Sequence, residues 1–94
     1  MISKIKGDNA DALFEAILSL QTVDECYAFF EDLCTYKEIQ SISQRFAVAK
    51  MLNENRIYNE IVEKTGASTA TISRVKRSLQ NGNDGYTMVF ERLK

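Results

Sequence analysis

The stretch Tyr58-Asn59-Glu60-Ile61-Val62-Glu63-Lys64-Thr65-Gly66-Ala67-Ser68-Thr69-Ala70-Thr71-Ile72-Ser73-Arg74-Val75-Lys76-Arg77 reads as two short helices hinged at Gly66. A segment of this length with a glycine at a sharp turn fits a helix-turn-helix unit. Ile61, Val62, Ala67, Ile72 and Val75 fall where the two helices must bury apolar groups. Thr65 occupies a position usually given to an aliphatic residue, and Val62 one usually held by a smaller Ala. Ser68, Thr69, Ala70, Ser73, Arg74 and Arg77 are left facing outward from the second helix.

The chemistry of that outward face suits duplex DNA. Small residues at the helix start let the backbone approach a major groove, where Ser68, Thr69, Thr71 and Ser73 can bond base edges or phosphates. Ala70 or a Thr methyl can touch a thymine methyl. Free amides at the helix start attract phosphate. Arg74, Lys76 and Arg77 add positive charge in the following turns. The competing reading is a helical hairpin with a solvated polar face.

Charge is distributed to match. Met1 to Gln44 carries three basic and eight acidic residues, a balance of −5. Arg45 to Gln80 carries seven basic against three acidic, a balance of +4. The remaining tail is neutral, so a net charge of −1 conceals a basic segment on an acidic body.

The rest of the 94-residue chain also reads as helix, giving six in all. Ala12, Leu13, Ala16, Ile17 and Leu20 line one face of a 3.6-residue period. Thr22-Val23-Asp24-Glu25 has the form of a capping box, with Glu25 set to satisfy the amide of the cap itself. It opens a stripe of Val23, Cys26, Tyr27, Phe30, Leu33 and Cys34, and leaves Phe29 off that stripe. Thr35-Tyr36-Lys37-Glu38 repeats the signal and opens a third helix with the stripe Ile39, Ile42, Phe46, Ala49 and Leu52. Ala47, Val48 and Met51 lie off that stripe, so this helix is central or shared with a partner. Asn53-Glu54-Asn55 ends it. A short helix from about Ile57 to Lys64 and a second from about Thr69 to Gln80 follow. Asn81-Gly82-Asn83-Asp84-Gly85 is the clearest loop, with two residues able to take positive φ at little cost. Tyr86, Val89, Phe90 and Leu93 mark a last helix.

These observations exclude several classes. With no His, imidazole chemistry is absent. There is no phosphate-binding Gly loop, no nucleophile with a His partner and no spaced set of metal ligands, so neither an enzyme nor a metal or cofactor site is expected. Asp24 and Glu25 are explained by their place at a helix N-terminus. No apolar run of about 18 residues is present, so no membrane span is expected. The first residues lack the apolar core of a secretion signal, which reads as a cytoplasmic protein. Cys26 and Cys34, eight positions apart in one helix, would stand roughly 12 Å apart, too far for a bridge. Two small buried thiols in a reducing compartment is the plain reading. A chain this short buries only about two-thirds of its extended surface. Six amphipathic helices therefore point to a two-fold homodimer.

Gly66-Ala67-x-x-Ala70-Thr71-Ile72-Ser73-Arg74, followed by Ser78-Leu79, closely resembles the helix-turn-helix of the tryptophan repressor, and the whole chain resembles the Trp-repressor-related proteins of the YerC/YecD type. The likeness is strong over about Thr65 to Leu79 and weaker over Thr35 to Asn55. It implies one all-α, six-helix Trp-repressor-like domain over residues 1–94, with the helix-turn-helix within 57–80, in an intertwined dimer. Each subunit would give one reading head to a half-site of a palindromic operator. By this resemblance the base-reading residues are Ser68, Thr69, Ala70, Thr71 and Ser73. It also implies an effector pocket: Arg74 matches the second of two ligand-holding arginines and Ser78 a ligand-holding serine. Thr35 and Arg45 match the remaining threonine and arginine if the turn near Asn55 is one residue shorter here. The glycine that follows the second arginine is Val75 in this chain. Its branched side chain stands where an indole would lie, which argues against tryptophan as the effector. The expected function is a double-stranded DNA-binding transcriptional regulator, read as a repressor. The alternative is a helical module that binds protein through Phe29, Phe30 or the third helix.

Overall fold

The computed structural model describes residues 4–94, which form α1 (Asp8–Leu18), α2 (Val23–Leu33), α3 (Tyr36–Asn53), α4 (Tyr58–Thr65), α5 (Thr69–Asn81) and α6 (Gly85–Arg92), with no strand among the described residues. Among them, no helix is long and apolar enough to cross a membrane. The chain divides into two compact units, residues 4–36 and 37–94.

The first unit holds α1 and α2. Thr22 caps α2 from extended backbone, its hydroxyl accepting the Glu25 amide at 3.0 Å. Glu25 bonds back to the Gln21 amide at 2.9 Å, one residue before the expected position. Asp8 and Asp11 in α1 and Asp24 and Glu25 in α2 place carboxylates in the first turns, where the helix dipole favours them. Phe29 and Phe30 are both half-buried and meet edge to face, with centroids 5.7 Å apart. Neither helix contains a buried residue. Leu18, Val23 and Tyr27 are 83%, 71% and 63% exposed. The thiols correct the expectation of burial: Cys26 is exposed, and Cys34 is half-buried in the extended residue that caps α2.

The second unit holds the core. Val48 and Ala49 of α3, Ile61 of α4, Ala67 of the turn and Ile72 and Val75 of α5 are buried together. Met51, Leu52, Tyr58, Leu79, Tyr86 and Phe90 pack around them. A fully buried aliphatic side chain of this kind stabilises by about 1.5–3 kcal/mol. Within the expected stripe of α3, only Ala49 is fully buried. Ile42 and Phe46 are exposed, and Val48, off that stripe, is buried. The core therefore lies on a face of α3 rotated away from the bulkiest apolar residues. Val62 is also exposed rather than buried, so its extra bulk over Ala meets no neighbour that excludes it.

Local chemistry sets the helix ends. Asn55 at φ 62 closes α3, with its amide bonded to the Leu52 carbonyl and the Arg56 amide to the Met51 carbonyl, both at 3.0 Å. That is the Schellman arrangement with Asn in the left-handed position. In the loop after α5, Asp84 takes the positive φ of 63, and Gly82 does not. Gly82 is needed for space: a Cβ there would lie 2.4 Å from the Ser78 carbonyl oxygen. α6 is anchored by Phe90, which lies between Tyr86 (6.0 Å, stacked) and Phe46 of α3 (5.5 Å, tilted).

Candidate nucleic-acid interface and adjoining cavity

Gly66 at φ 72 ends α4, its amide bonded to the Val62 carbonyl at 2.9 Å. A residue with no Cβ adopts this left-handed geometry without steric cost. Thr65, unusual for its position, bridges the turn. Its hydroxyl donates to the Ile61 carbonyl at 2.7 Å and accepts the Ala67 amide at 3.1 Å. Its carbonyl accepts the Gln44 side-chain amide at 3.1 Å. An aliphatic residue there could do none of the hydroxyl's work.

Ser68 caps α5, its hydroxyl accepting the Thr71 amide and donating to the Thr71 hydroxyl, both at 3.1 Å. Capping uses one of the first-turn amides of α5 and leaves those of Thr69 and Ala70 for an outside acceptor. Ser68, Thr69, Ala70, Ser73, Arg74, Lys76 and Arg77 are exposed, whereas Thr71 is half-buried. α5 contains three cationic residues and no carboxylate. Among the described residues, Arg74 and Arg77 form no salt bridge. Lys76 differs: its Nζ stands 5.7 Å from the centroid of the Tyr58 ring on α4. At such an exposed site a cation–π contact contributes about 0.5–1 kcal/mol.

Beside α5 lies a cavity of about 460 Å³ lined by Ser41, Gln44 and Arg45 of α3, Thr71, Arg74, Val75 and Ser78 of α5, and Tyr86 of α6. Three of the expected effector-site residues, Arg45, Arg74 and Ser78, share this lining, as does Val75. Thr35 belongs to the first unit. Ser41, Gln44 and Tyr86 were not anticipated. The signal for the first two was available: Ser41 and Gln44 share the face of α3 that carries Arg45, at helical spacings of three and four. The lining contains two guanidiniums and no carboxylate. Among the described residues, no cluster of three or more Cys, Asp or Glu could hold a metal ion.

Arg56, before α4, lies between Glu54 at 3.7 Å and Glu60, to which its guanidinium donates. That hydrogen bond holds the Glu60 carboxyl below its ordinary range, and raises Arg56 above its own. Arg56 is thereby neutralised locally.

Comparison with known proteins supports one assignment. The sequence profile of the Trp repressor protein family matches residues 8–94. The uncharacterised protein YerC of Bacillus subtilis (strain 168) is 57% identical over 93 residues, covering 99% of this chain and 89% of that one. A TrpR-like protein from Eubacterium eligens ATCC 27750 superimposes with a TM-score of 0.92 at 67% identity, covering 96% of this chain and 93% of its own. A Trp-repressor candidate from Staphylococcus aureus gives 0.92 at 59% identity, covering 96% and 90%. These similarities extend over both units and are of a regulator fold, not an enzyme family. With six helices, a glycine-hinged α4–α5 pair and a YerC-type sequence along almost its whole length, the chain belongs to the Trp repressor protein family.

Proposed function

We propose that the protein is a sequence-specific regulator of transcription, a repressor, that binds double-stranded DNA as a homodimer in the cytoplasm. The observation that carries this reading is α5, which presents Thr69, Ala70, Ser73, Arg74 and Arg77 to solvent, bears no carboxylate and follows a tight left-handed turn. Thr69, Ala70 and Ser73 would meet base edges, the capping group of Ser68 and Thr71 would hold the helix start, and Arg77 would meet phosphate. Lys76 contributes charge near the duplex while resting on Tyr58.

The homodimer is supported by apolar surface without cover. No residue of α1 or α2 is buried, and Ile42, Phe46, Met88 and Leu93 are exposed as well. A second copy would remove such surface from water. We assign an effector role to the cavity, with Arg45, Arg74 and Ser78 as ligand-holding residues and Thr35 as a further candidate. Two guanidiniums without a carboxylate in the lining favour an anionic effector. Val75 narrows the space against an indole, so tryptophan is disfavoured.

Selection of bound fragments from random duplex DNA, with and without added metabolites, tests the reading. It should enrich a palindrome whose half-sites lie about 34 Å apart, one helical turn. No enrichment above the starting pool would contradict it.

A further inference from the structure

The turn between α4 and α5 is closed by bonds that reach only two to four residues along the chain: Thr65 to Ile61, Ala67 to Thr65 and Gly66 to Val62. Such bonds shape the turn but do not fix it relative to the rest of the unit. One bond does. The Gln44 side-chain amide, on α3, donates to the Thr65 carbonyl across 21 residues of sequence, in a partly buried setting. Thr65 is the last residue of α4, and carbonyls at a helix C-terminus have no amide of their own helix to accept from. Gln44 supplies what the helix cannot. The bond is also directional, unlike the apolar packing of Ile61, Ala67 and Ile72 around it.

From this we infer that Gln44 is a positioning residue for the reading head: it ties the turn to α3, the helix that contributes Val48 and Ala49 to the core, and so sets where the first residues of α5 lie. It touches no DNA in this scheme and acts through Thr65. The inference rests on the DNA-binding reading above. Base discrimination needs donor and acceptor atoms held within about half an ångström of their places, whereas attraction to phosphate does not. Losing the tie should therefore weaken discrimination more than affinity for DNA at large. Gln44 also has room for this work. A Cβ on Gly66 would come only to 4.0 Å from its amide nitrogen, so the two approach without crowding.

The test compares the full-length protein with Gln44→Met, which keeps length and removes the donor, and Gln44→Lys, which returns a donor at similar reach. Two readouts are needed. Amide exchange at Gly66 and Ala67 should quicken about tenfold in Gln44→Met while exchange at Ile72 and Val75 stays within about twofold. The ratio of affinities for a selected duplex and a scrambled one should fall about tenfold in Gln44→Met, with affinity for the scrambled duplex nearly unchanged, and should recover in Gln44→Lys. Unchanged exchange at the turn, an equal rise at the core amides, an unchanged affinity ratio or no recovery in Gln44→Lys would each overturn the inference. If the parent protein bound no duplex at all, the DNA-binding reading would fail instead, and the exchange measurement would still decide whether Gln44 holds the turn.

Discussion

Arg45 of α3 and Arg74 of α5 line one cavity whose other lining residues are neutral. Like charges brought to one concave site repel, and an anion there relieves the repulsion. Inorganic phosphate should therefore raise the thermal unfolding midpoint more than chloride at equal ionic strength, by the linkage expected for a weak site of Kd about 1 mM or above. Arg74→Ala should shrink the excess to the part that phosphate supplies by its general exclusion from protein surfaces. Equal midpoints in the two salts would show that the cavity has no preference for anions with several acceptor oxygens.

The contact of Gly82 with the Ser78 carbonyl makes a second prediction. A Cβ at 2.4 Å cannot be accommodated without moving backbone. Gly82→Ala should destabilise by about 1–3 kcal/mol, a loss of several degrees in Tm for a domain of this size. Calorimetry decides it. A neutral or stabilising effect would mean that the end of α5 is looser than described.

Ile72 is completely buried on the inner side of the reading helix. Ile72→Ala should cost about 2–5 kcal/mol, a large part of the 5–15 kcal/mol that holds a typical domain together. Urea unfolding followed by circular dichroism should show this as a much lower midpoint, with Ile72→Val losing about 0.5–1.5 kcal/mol. By contrast, Val62→Ala should fall within about 0.5 kcal/mol of the parent, because Val62 is exposed.

Acid should release the Arg56–Glu60 pair. The Glu60 carboxyl is held low by its hydrogen bond with Arg56, so its contribution to stability is present above the unfolded carboxyl range. It is lost as pH falls through the lower folded value. Both side chains are exposed, so the effect is small. Carboxyl chemical shifts should place the Glu60 midpoint below that of an ordinary glutamate, and Arg56→Ala should return it. An unshifted midpoint in the parent would refute the pairing.

What could be read in the chain itself was local. Gly66 at a sharp turn, Asn53 to Asn55 as a helix stop and the burial of Ile61, Ala67, Ile72 and Val75 depend on neighbours within a few residues. What could not be read depends on partners far along the chain. The Gln44–Thr65 bond spans 21 residues, and the placing of Lys76 on Tyr58 needs α4 and α5 already packed. The apolar period of α3 marks several faces as suitable for a core but does not say which one the unit uses. Val48 is buried while Ile42 and Phe46 stay exposed. Gly82 was legible as a loop residue, and its actual constraint, the closeness of a carbonyl, was not.

The outward face of α5 as a duplex-binding surface is tested most directly by fluorescence anisotropy of a labelled mixed-sequence duplex, titrated with the protein at several salt concentrations. Complex formation is expected in dilute buffer, with the logarithm of affinity falling linearly with that of salt. Arg77→Ala should weaken binding to all sequences and make that slope shallower by about one, while Thr69→Ala should alter sequence preference. Absence of any complex at low salt and tens of micromolar protein, or an affinity indifferent to both substitutions, would contradict it.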